Sequence, residues 1–371
     1  MFNQRMLRIK LKLLITLLFL ASCTGARQSC VLPVGILDKV ASVRALPKKS
    51  EVPCIQTGST AELREILSET IDKRLPREQV FLEGEILRLL GVISKNYNYR
   101  EEIISQYATR LSAFYSPEYK RFVLAKDLGS EKKTILAHEL THALQDQSYD
   151  LNALTAVSVP SDTVMARTAI FEGDANLTMR RFSDEPFCQS STMSQVIERL
   201  DYLRKEKSEI PLFFELQMAF PYLVGEQYLC DRIQESRKKI GGGLNETLLQ
   251  VYKNLPHSTS QLLGFPDTVE LGTKECLKAD SYGLAGIASL LAPEVALVRS
   301  IQLLKTLEGD RLCLTKAKES NYKLEWRIRV KDEGDRTRLR DIFSNYFSHH
   351  IRDSSFFVTN SNGQIEIAIN N

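Results

Sequence analysis

Five residues constrain this chain more than any other feature: His138-Glu139-Leu140-Thr141-His142, set between apolar flanks. On a helix, positions i and i+4 share one face about one turn apart, so both imidazoles point the same way. They can then bind a single zinc ion, which takes histidine nitrogens at ~2.0–2.1 Å in a tetrahedral set. Glu139 sits where it can meet a water on the metal rather than the metal itself. Zinc lowers the pKa of that water from ~15.7 toward ~7, within reach of a carboxylate base. Ile135-Leu136-Ala137 before the run and Ala143-Leu144 after it predict an apolar helix over about 131–147, with Ser130 as its N-cap. The alternative is a buried helix with two internally satisfied histidines. The chain has only five histidines (138, 142, 257, 349 and 350), and two of them stand at ligand spacing around a glutamate, which argues against that alternative.

A third ligand is needed. A histidine six residues beyond the run would fall at 148, where Ser148 stands, and the other histidines are remote. The next predicted helix offers Phe171-Glu172-Gly173-Asp174-Ala175. Glu172 is the expected ligand, with Asp174 as the alternative and an ordinary surface acid as the competing reading. Gly173 would let two helices approach closely, a use that offsets its poor helix propensity. Asn176, one turn after Glu172, is a candidate to orient a ligand histidine. Asp146, on the His142 face, either orients a neighbour or caps the helix end. His257, Tyr222 and Tyr282 are candidates to bind a developing oxyanion, each weighed against a structural role.

The N-terminus predicts export. Arg5, Arg8, Lys10 and Lys12 precede or interrupt a short apolar run that ends at Leu20, half of the ~20 residues a bilayer span needs. Leu20-Ala21-Ser22-Cys23 resembles the bacterial lipoprotein signal, which implies cleavage after residue 22 and acylation of Cys23. An ordinary secretory signal and a permanent helical anchor are the alternatives. The expected location is an exported lipoprotein, on the periplasmic side of the outer membrane in a Gram-negative cell and otherwise at the cell-surface membrane. Without the four basic residues, the formal charge of +3 becomes −1, which leaves no basic footprint for nucleic acid. Hydrophobic residues at 43% and charged residues at 26% exclude a disordered, collagen-like or multi-span chain. Six cysteines remain after Cys23. An oxidising compartment would pair them, and pairing in chain order gives Cys30–Cys54, Cys188–Cys230 and Cys276–Cys313. Many other connectivities are open, and no CxxC occurs.

Along the chain, residues 24–58 read as a tether with a small disulfide-closed segment. Helices are expected over about 60–75, 77–94 and 99–111, then a hairpin of 113–115 and 121–125 around Ser116-Pro117-Glu118. Beyond the 131–147 helix, Ser161-Asp162 is an N-cap candidate for a helix to Phe182. Residues 190–206, 211–238 and 245–252 follow as helices, broken at Gly241-Gly242-Gly243, with a loop at 255–259. Strands at 311–316 and 323–330, a helix at 335–348, and strands at 354–359 and 364–369 complete the reading, the last pair joined by Asn360-Ser361-Asn362-Gly363. Lys318-Glu319 and the basic run 327–340 read as a solvated face.

The run 138–142 with a glutamate on a following helix resembles the gluzincin group of zinc metallopeptidases. It departs from the commonest form, where an aspartate stands at the position of Asn176. A closer likeness is to exported bacterial proteins reading FYxP, a strand, HELxHALQDQ, then EGDA. The matching stretches are Phe114-Tyr115-Ser116-Pro117, His138–Gln147 and Glu172–Ala175, with weaker echoes at Leu89-Leu90-Gly91, 258–261 and Gly309-Asp310-Arg311. This resemblance implies an α+β, zincin-like, mostly helical catalytic core with a preceding β-hairpin (59–305) and a smaller C-terminal α/β part (306–371), after a signal (1–22) and tether (23–58). It implies one Zn2+ per chain on His138, His142 and Glu172, with Glu139 as general base. The substrate would be a peptide or protein, and the membrane a partner through acylated Cys23. Two other readings stay open: a zinc-binding envelope lipoprotein with a binding or assembly role, and a hydrolase of a non-peptide amide such as a cell-wall crosslink.

Overall fold

A computed structural model describes residues 27–125, 132–188, 191–206, 208–240, 243–269, 271–272, 275–317, 321–352 and 354–371. The signal segment 1–22, Cys23, the Ser130 cap, the Gly241-Gly242 break and Lys318-Glu319 lie outside the described residues. In chain order the first elements are β1 (Gln28–Ser29), α1 (Ile36–Arg44), β2 (Cys54–Gln56), α2 (Thr60–Arg74), α3 (Arg77–Leu89), α4 (Tyr99–Arg110), β3 (Ala113–Ser116), β4 (Arg121–Leu124), α5 (Lys132–Tyr149), α6 (Leu151–Leu154) and α7 (Ser161–Phe182). There follow α8 (Met193–Tyr202), α9 (Leu212–Ile240), α10 (Leu244–Lys253), α11 (Thr259–Leu262), β5 (Lys278–Asp280), α12 (Gly283–Leu291), α13 (Leu297–Leu303), β6 (Leu307–Lys316), β7 (Tyr322–Val330), α14 (Glu333–His350), β8 (Ser355–Ser361) and β9 (Gln364–Asn370). The class is α+β.

Local chemistry sets most of these boundaries. Ser59 and Asn98 cap α2 and α4 by accepting the N–H groups of Glu62 and Glu101. The α3 helix stops at Leu89, short of the expected 94, because Gly91 adopts φ +75° against the His350 carbonyl, where a Cβ would lie 2.9 Å away. Ser161 and Asp162 do not cap α7. Pro160 takes that position, Ser161 Oγ donates to Asp280, and Asp162 accepts from the Thr259 N–H and hydroxyl. In the last hairpin, Asn362 and Gly363 carry φ of 49° and 77°, the left-handed pair that a two-residue turn requires.

Two sheets flank the helices. One has the order β1-β2-β4-β3, with β2 parallel to β4 and β3 outermost. The other is antiparallel, β5-β6-β7-β9-β8, with α14 against it. On one side of α5, Leu136, Leu140 and Leu144 pack with Ile36, Leu37 and Val40 of α1 and with Ala113, Tyr115 and Phe122 of the hairpin. A larger cluster runs from α3 through α7, α9 and α12 to Trp326, Phe343 and Phe347. Side chains before and after residue 305 share it.

The N-terminal segment holds the expected small disulfide-closed piece, Cys30–Cys54, and carries more regular structure than a tether needs. Residues 36–44 form α1, which packs on α5 and α7, and β1 and β2 extend the hairpin sheet. The three disulfides pair in chain order, Cys30–Cys54, Cys188–Cys230 and Cys276–Cys313. They point to an oxidising, exported environment. No described helix is long and apolar enough to cross a membrane.

Candidate metal centre

The α5 helix is held from behind by its leucines and turns His138 and His142 toward α7. Their Nε2 atoms converge at 3.2 Å. Glu172 Oε2 lies 3.1 Å from the first and 3.4 Å from the second. A tetrahedron with metal–ligand bonds of ~2.0–2.1 Å has edges of roughly 3.3 Å, so this triangle has the size of one face of a site that could hold a metal ion. The three side chains are 10–15% exposed, recessed yet open to solvent. Among the described residues this is the one His/Cys/Asp/Glu group spaced to hold a metal ion. The electrostatics fit a cation too. Burial alone would lower the His142 pKa, but the Glu172 charge and hydrogen bond outweigh it and raise it to about 9. Glu172 is held far below the ordinary carboxylate range despite its burial, by His142 and His138.

Glu139 is not part of the triangle and bonds the hairpin beside it. The Tyr115 N–H donates to its Oε2 at 3.0 Å. Burial pushes the Glu139 carboxyl up, against the pull of the two histidines, and Glu172 adds to the rise. The other end of Tyr115 is fixed as well: its hydroxyl donates to Asp146 at 2.7 Å, and Lys120 and the Leu151 N–H also donate to that carboxylate. Asp146 thus acts on Glu139 through Tyr115, and it touches neither ligand histidine. Because β3 is an edge strand and alternate backbone groups face outward, Ala113 and Tyr115 present theirs beside the metal helix.

Gly173 does what its place beside Glu172 predicts. A Cβ there would lie 2.4 Å from the Gly225 carbonyl carbon, and one on Gly225 would overlap the Ala169 oxygen. The two glycines let α7 and α9 touch backbone to backbone. That contact brings Tyr222, one turn before Gly225, over the site. Its ring stacks on His138 with centroids 6.1 Å apart and planes at 19°. Desolvation, then the Glu172 and Glu139 charges, push its phenol up, so it stays a donor at neutral pH. Asn176 does not reach a histidine; its amide faces Glu226 at 3.3 Å and the Tyr222 carbonyl at 3.5 Å, tying α7 to α9. His257 and Tyr282 are also elsewhere. The His257 backbone bonds Thr163 and Gln261, and Thr163 is about 13 Å along α7 from Glu172 at ~1.5 Å per residue. Tyr282 is a core tyrosine that donates to Glu83 and packs on Trp326.

The residue that does orient a ligand is Gln145, for which no sequence expectation existed. Its Oε1 meets His142 Nδ1 at 2.9 Å, while its Nε2 donates to the Phe171 carbonyl and to Asp174 at 3.0 Å each. Asp174 therefore stands behind the site, not in the ligand set. The one available signal was spacing: Gln145 is three residues past His142, on its helical face. Burial pushes the Tyr107 phenol of α4 up, Arg74 opposes it, and the Glu172 charge adds to the rise. A cavity of about 470 Å³ lies at the start of α9, beside Tyr97 and Leu203, and none of the three ligands lines it. No protein-family model, curated protein or solved structure matches the chain.

Proposed function

We propose that the chain is a zinc-dependent peptidase of gluzincin type, tethered to a bacterial membrane through acylated Cys23. The observation that carries this reading is the 3.1–3.4 Å triangle of His138, His142 and Glu172, with the α5 residue Glu139 beside it and bonded to the edge strand rather than part of the triangle. A zinc ion bound there would polarise a substrate carbonyl and lower the pKa of a water toward ~7. Glu139, with its basicity raised by burial, takes the proton of the attacking water and passes it to the departing amine. Tyr222 donates its phenol hydrogen bond to the carbonyl oxygen as charge develops. The outward N–H and C=O of Ala113 and the C=O of Tyr115 donate to and accept from an extended peptide by strand addition, while the Tyr115 N–H stays on Glu139.

The test is cleavage of casein or a peptide library by the wild type and by Glu139→Gln, each with measured zinc content. The expected result is equal zinc and turnover at least ~10²-fold lower in the variant. No cleavage by zinc-loaded wild type would turn the reading toward a binding role. Loss of zinc in the variant would make Glu139 a ligand.

A further inference from the structure

Three consecutive side chains of α5 reach behind the metal triangle into three parts of the fold: Gln145 to α7, Asp146 to the hairpin and Gln147 to the N-terminal segment. Gln147 grips that segment with both ends of its amide. Its Oε1 accepts from the Lys49 and Ser50 N–H groups at 2.8 and 3.2 Å, and its Nε2 donates to the Ser50 carbonyl at 3.1 Å. Just upstream, Arg44 ends α1 with its Nε 2.5 Å from Asp174 Oδ1, and both side chains are at most 3% exposed. The guanidinium also lies over the Tyr252 ring, whose hydroxyl donates to the same Asp174 at 2.8 Å. Asp174 accepts from Gln145, and Gln145 meets His142. Four buried side chains thus link the first helix to a metal ligand.

The physical consequence is a choice of tautomer. Asp174 and the Phe171 carbonyl accept only, so they hold the NH2 end of Gln145 and leave its oxygen facing His142. That oxygen accepts from Nδ1–H, so Nε2, which faces the triangle, is the nitrogen left for a metal. An amide free to flip would present NH2 to His142 and favour the other tautomer. Arg44, paired with Asp174 in the interior, offsets the cost of burying that carboxylate.

We propose that residues 27–56 form a strap that is a working part of the metal centre, with Arg44 as a positioning residue that fixes the metal-binding tautomer of His142 through Asp174 and Gln145. This rests on the zinc reading of the triangle. The experiment measures the zinc dissociation constant of the purified full chain by competition with a chromogenic chelator, beside the melting temperature of the metal-free protein. Arg44→Met should weaken zinc binding ~10–100-fold, the usual cost of losing a residue that orients a ligand. Arg44→Lys, which returns a cation to Asp174, should regain most of that loss. Gln145→Met cuts the last link while leaving the Arg44–Asp174 pair intact, and should show a similar loss. A folded Arg44→Met with wild-type zinc affinity and only a lower melting temperature would overturn the proposal. If that variant does not fold, wild-type affinity in Gln145→Met would overturn it. A wild type that binds no zinc would instead defeat the metal reading itself.

Discussion

His142 is the residue at which protonation and metal binding compete most directly. Its pKa in the metal-free fold is raised from 6.5 to about 9 by Glu172. A raised pKa means the folded state holds the proton more tightly than the unfolded chain does. The resulting stabilisation is complete below 6.5 and is lost as pH rises through about 9. Zinc must displace that proton, so its apparent affinity should climb over the same interval. Melting curves of metal-free and zinc-loaded protein should therefore diverge from pH 6.5 to 9, with the metal-free form falling. Asp162, buried and pushed up to about 7, titrates in the same direction in both forms, and the difference between the curves cancels it. A gap that stays constant with pH would contradict the shared triangle. Tyr222→Phe keeps the ring on His138 and removes the donor. Its turnover should drop at least ~10-fold with zinc retained, as for loss of one oxyanion donor. His138 and His142 were legible as a pair in the sequence because histidine spacing on a helix is a local rule. Gln145 and the Asp174–Arg44 pair were not, because what they do depends on which side chains from distant segments meet behind the helix.

Among the elements, α7 and α9 matter most, since their contact at Gly173 and Gly225 puts a ligand and a phenol on the same opening. Gly225→Ala places a Cβ against the Ala169 carbonyl oxygen, which as backbone cannot swing away. The helices must separate, at a cost of ~1–3 kcal/mol or more, and turnover should fall with stability. Gly243→Ala, at a helix start with open space around it, is the control and should leave turnover unchanged. A neutral Gly225→Ala would show that the contact does not position the site. Periodicity predicted α2, α4, α5, α7 and the last hairpin within a few residues, each having an apolar stripe or a turn that its own residues define. It gave nothing for α12, whose residues from Gly283 to Leu291 are all buried and so show no polar face to set a period. The first helix was missed for the opposite reason: α1 is short and exposes about half its length, and its stability comes from packing on α5 and α7.

For the molecule as a whole, the strap residues 27–56, the hairpin and the two metal helices form one unit behind the site, and Cys30–Cys54 closes it. A chain held by Cys23 would thus carry its metal centre close to the bilayer, with few residues of free leash. Cys23→Ser should move the protein from the membrane fraction to the soluble fraction or leave an uncleaved precursor. Unchanged detergent partition with a mature terminus other than residue 23 would contradict the anchor. The triangle of His138, His142 and Glu172 is tested most directly by anomalous diffraction at the zinc edge from crystals of the purified protein. One peak is expected, ~2.0–2.1 Å from His138 Nε2, His142 Nε2 and a Glu172 oxygen, with Glu139 outside bonding distance. A crystal with no zinc peak there, or one in which Glu139 coordinates the metal and Glu172 does not, would contradict it.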